Sequence, residues 1–131
     1  MNFSAGRVSK INELTIEFYF EKDVEIDPQL CKEIVRAIRF FSKGQYHALL
    51  FNFNGRHIIL SEIARKLSGS KDYSNSKLIA RAIVTQSMTS SLETSHYIQN
   101  SKPAADTGLF TSKEKAIEWL NEKALAFLKV T

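Results

Sequence analysis

The chain has 131 residues, of which 44% are hydrophobic and 24% charged, with a formal net charge of +4. That length suffices for one domain with a real core, and the balance excludes disordered and fibrous classes. The single cysteine, Cys31, excludes an internal disulfide, and no run approaches the roughly 20 apolar residues of a membrane span.

Arg7 to Ile11 reads as a short edge strand, turning at Asn12-Glu13 into the strand Leu14–Phe20, where apolar and polar residues alternate. Glu21 to Glu25 is charged and breaks the pattern. Asp27-Pro28 starts a helix, because Asp27 can accept from the first unpaired amides and Pro28 suits the first helical position. Leu30, Ile34, Val35, Ile38 and Phe41 form its apolar stripe, Lys32, Glu33, Arg36 and Arg39 fall mostly on the other side, and Gly44 is the expected terminator. Cys31 lies beside the stripe and reads as a buried, inert thiol.

Ala48 to Phe53 is apolar apart from Asn52 and suits a central strand covered on both faces. Asn54-Gly55 turns the chain, and a helix is expected over Ser61–Leu67, ending near Gly69. Residues 69–77 read as a polar loop and Leu78–Thr85 as a buried strand interrupted by Arg81. A helix with Met88, Leu92, Ser95 and Ile98 inward is expected over Ser87–Asn100. Thr107–Phe110 is a short strand. Thr111 and Glu114 form a capping box for a last helix with Ile117, Leu120, Ala124 and Phe127 or Leu128 on its inner face, and Trp119 beside that stripe covering the sheet edge. Strands alternating with helices imply one α/β domain over residues 1–131, a mostly parallel or mixed sheet of four to five strands with about four helices.

The usual catalytic signatures are missing. GxGxxG, GxxxxGK[ST] and GxSxG do not occur. His47, His57 and His96 form no metal-binding pair, so no metal, cofactor or enzymatic activity is expected. His57 and Ser61, four apart, would share a helix face if the helix began early, but an exposed loop or first-turn histidine and a capping serine explain them better. The charge excess lies wholly in residues 55–131, with eleven basic and seven acidic side chains. Arg56, Arg65, Lys66, Lys71, Lys77 and Arg81 supply six of those cations and read as a solvated face. Only Tyr73 interleaves them, so nucleic acid is not expected. Phe40, Phe41, Phe51, Phe53, Ile58, Ile59 and Leu60 are many bulky residues for a small domain; core packing explains most of them, and Ile58, Ile59 and Leu60, if not all buried, would offer a patch for a lipid or a second subunit.

The segments VEIDPQLCKEIVRAI, LLFNFNGRHIILSEIARKL, KLIARAIVTQSMTSS and LFTSKEKAIEWL carry a resemblance to the small bacterial STAS/SEC14-like domains, common in Bacteroidetes and related to the SpoIIAA-like anti-sigma-factor antagonists. The resemblance implies helices packed on a mostly parallel sheet and no established catalysis. In the antagonists a serine of an Asp-Ser-Ser-Gly motif at a helix start is phosphorylated by a partner kinase. That motif falls on Leu60-Ser61-Glu62-Ile63, where three of the four residues differ. Glu62 already places a negative charge in the first turn and opposes a phosphate on Ser61, so a capping role for Ser61 is favoured.

These observations lead to the expectation of a cytoplasmic, non-enzymatic STAS-like interaction or regulatory module. The opening MNFSAGRVSK, which lacks the apolar stretch of a signal peptide, is the reason for the cytoplasm. The candidate interaction surface is Asn54, Gly55, Arg56, His57, Ser61, Glu62 and Arg65. The expected partner is another protein or a second copy in a homodimer, and the alternative is a small lipid or hydrophobic-ligand carrier of SEC14-like type.

Overall fold

Alternation along the second expected strand sends Ile16, Phe18 and Phe20 to one side and Thr15, Glu17 and Tyr19 to the other, and the sheet is built around that division. The computed structural model describes residues 1–61, 77–86 and 106–130. In chain order the elements are β1 (Asn2–Phe3), β2 (Gly6–Lys10), β3 (Thr15–Phe20), β4 (Val24–Ile26), α1 (Pro28–Ser42), β5 (His47–Asn52) and β6 (Ile58–Leu60). Then follow β7 (Leu78–Val84), β8 (Asp106–Phe110) and a last helix, α2 (Lys113–Val130).

Six strands form one mixed sheet in the order β1-β2-β3-β5-β7-β8. The pairs β1/β2 and β2/β3 are antiparallel, whereas β3/β5, β5/β7 and β7/β8 are parallel. A separate parallel pair joins β4 to β6. The architecture is therefore the expected α/β class, but four to five strands was too few. Strands of two or three residues, such as β1, β4 and β6, are too short to show a period. The charged stretch 21–25 runs into β4, where Glu25 points to solvent between Val24 and the buried Ile26. Among the described residues there are two helices; those expected over Ser61–Leu67 and Ser87–Asn100 involve residues 62–76 and 87–105, outside the described residues.

Local chemistry sets the boundaries. Asn12 Oδ1 accepts from the amides of Leu14 and Thr15 at 3.0 and 2.9 Å, closing the β2–β3 hairpin. Asp27 Oδ1 accepts from Leu30 N at 2.8 Å, capping α1 as its sequence implied. The helix stops at Lys43, whose left-handed backbone (φ 51°) lets its amide donate to Arg39 O, one residue before the expected Gly44. At α2 the cap is Ser112 rather than Thr111: Lys115 N donates to Ser112 Oγ at 3.4 Å, and that hydroxyl donates to Glu114 Oε2 at 3.0 Å. With α2 starting at Lys113, the third helical residue is Lys115, so the Thr111–Glu114 reciprocity does not form.

Each helix covers one face of the sheet. Leu49 and Leu50, adjacent on β5, belong to opposite apolar clusters. On one side Ile16, Phe18, Phe20, Phe53 and Ile83 meet Leu30, Ile34 and Ala37 of α1. Phe18 stacks on Phe51 at 5.1 Å and Phe20 meets Phe53 edge-on at 5.4 Å. On the other side Ala48, Ala80 and Ala82, all fully buried, present a shallow surface to Ala116 and Leu120 of α2. Ile117, Ala124 and Phe127 are half-buried as their spacing implied, but Leu128 is exposed. Trp119 covers the β8 edge, its ring 5.4 Å from Phe110, and a Cβ at Gly108 would meet both rings. Cys31 is buried and its thiol is pushed up, first by burial and then by the Asp27 carboxylate, in keeping with an inert role. Arg81 is half-buried and donates across to Thr107 Oγ1 on β8. No helix among the described residues is long and apolar enough to cross a membrane.

Candidate functional site

β3, β5, β7 and β8 run parallel, so their carboxyl ends share one end of the sheet, where ligands and partners of open α/β sheets usually bind. The Asn54-Gly55 corner leaves the central strand at this end. Asn54 (φ 54°) and Gly55 (φ 70°) both take left-handed backbone, and Arg56 N donates to Phe53 O at 2.9 Å to close the turn. Asparagine followed by glycine is the pair that accepts this geometry at least cost.

Four hydrogen bonds pin the corner. Asn54 N donates to Asn52 Oδ1 at 2.9 Å, and Asn54 Nδ2 donates to Phe20 O at 3.2 Å. His57 N donates to Asp23 Oδ1 at 2.8 Å, while Val24 N donates to His57 O at 3.1 Å. Asn54, Gly55 and Arg56 are exposed on this frame, and His57 and Ser61 are half-buried. Of the expected surface, Asn54, Gly55, Arg56 and His57 form the corner, Ser61 lies at the far end of β6, and Glu62 and Arg65 lie outside the described residues.

The helix-face pairing of His57 with Ser61 is overturned. Extended β6 intervenes, and four strand residues advance the backbone by about 13 Å instead of one helical turn. The Ser61 amide donates to Ile26 O at 3.1 Å, continuing the β4–β6 ladder. Of the apolar run before it, Ile58 is buried and Ile59 half-buried. The signal for this strand was the β-branched pair Ile58-Ile59, which is equally compatible with a helix approach.

Beneath the corner lies a polar cluster that sequence reasoning missed. Glu17, in the middle of β3, is buried; its carboxylate accepts from Asn52 Nδ2 at 3.3 Å and pairs with Lys113 Nζ at 3.0 Å. Asn52 thus links the cluster to the turn, accepting from Asn54 with one end of its amide and donating to Glu17 with the other. A lone acid in LTIEFYF and a lone amide in ALLFNF were the available signals, but neither named its partner. Among the described residues no group of histidine, cysteine and carboxylate side chains is arranged to hold a metal ion.

With this geometry in view, the likeness to known proteins is one of fold. The chain is similar to an uncharacterized protein of the DUF3478 family from Shewanella loihica PV-4, solved in crystal form and described as having a SpoIIAA-like fold. The TM-score is 0.59 at 14% identity, covering 87% of this chain and 90% of that one. No curated protein matches. The class is thus an α/β protein of SpoIIAA-like fold. Residues 10–129 match the model of the family described as Domain of unknown function (DUF7793), and the chain belongs to that family.

Proposed function

We propose that the chain is a non-enzymatic interaction or regulatory module of STAS-like kind, whose contact residues are the corner Asn54, Gly55, Arg56 and His57 together with Ser61, Glu62 and Arg65. The observation that carries this reading is the corner itself: an exposed turn at the carboxyl end of the central strand, held by hydrogen bonds that the side chains of Asn52 and Asp23 accept and that of Asn54 donates. A preorganised exposed loop on a rigid strand loses little conformational freedom on contact, which favours binding. The SpoIIAA-like fold of a solved relative agrees with a STAS-like role without assigning one.

The test is affinity capture from the native cytoplasm with the whole chain, comparing wild type with Arg56→Glu and Arg65→Glu. A partner held by wild type and lost by the charge reversals, with both variants melting normally, is the expected result. Recovery of lipid in place of protein would replace this reading with the hydrophobic-ligand carrier.

A further inference from the structure

The outer face of α1 carries a charge pattern that the corner does not use. Lys32, Arg36 and Arg39 follow one another at spacings of four and three residues, which places them in one narrow stripe along the helix, and Lys43, its left-handed C-cap, follows at the carboxyl end. All four are exposed, and none forms an ion pair among the described residues. Glu33, the acid nearest in sequence, is occupied elsewhere: it accepts from the amide and hydroxyl of Ser4. Beside the stripe stands Phe40, 61% exposed, its ring braced edge-on against Phe41 at 5.1 Å.

We infer that this face of α1 docks on an anionic phospholipid surface. Three cations along about 10 Å of helix, with Lys43 just beyond and none of the four ion-paired among the described residues, meet several headgroups of a flat negative surface at once. Phe40 supports lipid over other polyanions, because an exposed ring flanked by cations gains by entering the headgroup boundary, whereas paired bases of a duplex offer it no access. The surface also has a direction. Glu25 and Asp27 are exposed just before the amino end of α1, and Arg39, Phe40 and Lys43 at the carboxyl end, so the carboxyl end approaches the membrane more closely. The bulk of the apolar stripe of α1 stays in the core, so docking is peripheral and reversible.

Co-sedimentation of the whole chain with vesicles of phosphatidylcholine alone, or mixed with phosphatidylserine, tests this directly. Binding to the mixed vesicles only, weakening as salt is raised, is expected. Arg36→Gln and Arg39→Gln should each weaken it about fivefold, with Lys32→Gln, nearer the acidic end, weakening it less. Phe40→Ser should weaken vesicle binding without altering retention of a short DNA duplex. Absence of wild-type binding to the acidic vesicles overturns the inference, as does duplex DNA binding more tightly than the vesicles, or an unchanged affinity in Phe40→Ser. Thermal melting of each variant confirms that the fold persists, and the wild-type comparison decides the question even where a variant fails to fold.

Discussion

Glu17 and Lys113 stand 96 residues apart in the chain, yet the Lys113 ammonium lies 3.0 Å from one oxygen of the Glu17 carboxylate and 3.2 Å from the other. The carboxylate is buried at the middle of β3, and the lysine is the first residue of α2. The pair fastens the start of α2 to the sheet half that α1 covers from the other side.

Removing the cation should leave a buried carboxylate with Asn52 as its remaining partner among the described residues. Lys113→Met is expected to lower unfolding free energy by about 1–3 kcal/mol, because an under-satisfied buried acceptor keeps its desolvation cost. Half-exposure of Lys113 keeps the loss below that of a fully buried pair. Adding Glu17→Gln to Lys113→Met should recover part of it. Urea unfolding of the single and double variants is the measurement, and a loss no larger than that of an exposed ion pair would refute the assignment.

The turn makes a sharper demand. Gly55→Ala places a Cβ on left-handed backbone and should cost about 1–2 kcal/mol, although no neighbour crowds that position closer than 3.8 Å. Asn54→Gly keeps the backbone but loses the bond to Phe20 O, and Asn54→Ala loses both advantages. Melting temperatures should therefore rank Asn54→Gly above Asn54→Ala. The reverse order would show that the backbone conformation at residue 54 is not what selects asparagine.

Helix α1 offers a local control. Asp27→Ala removes the acceptor for Leu30 N and should destabilise by about 0.5–2 kcal/mol, with Asp27→Ser or Asp27→Asn close to wild type. Denaturant midpoints at constant slope would verify this.

Stability should also depend on pH through His47. Burial lowers its pKa from the ordinary 6.5, opposed by the contact of Nδ1 with Gln45 O at 2.9 Å. The unfolded imidazole takes up a proton near 6.5, while the folded one resists until a lower pH. The contribution is therefore complete above 6.5 and declines as pH falls from there toward the depressed folded value, below which the decline stops. His47→Gln, which does not titrate, should flatten the melting temperature between about pH 7 and about pH 5 relative to wild type. An equally steep profile in that variant would assign the effect to other groups.

Most features set within one turn of helix or one pleat of strand were legible in the sequence. Asp27-Pro28 starts α1, Asn54-Gly55 turns the chain, and the apolar run at Ala48–Phe53 marks the central strand, because capping, turn geometry and side-chain alternation are settled by neighbours a few residues away. The pairing of Val24–Ile26 with Ile58–Leu60 and of Glu17 with Lys113 arises only in the folded chain, whereas the cap of α2 by Ser112 instead of Thr111 is a one-residue shift of a local signal. Backbone amides and carbonyls are the same at every residue, so a strand of three residues does not name its partner. A buried charge announces that it needs a counter-charge, but which of the chain's 18 lysines and arginines supplies it depends on where the folded sheet carries α2. The same holds for the corner: its turn was legible, while the bonds from His57 to Asp23 and from Asn54 to Phe20 that hold it for contact arise only once β4 lies beside β6 and β3 beside β5.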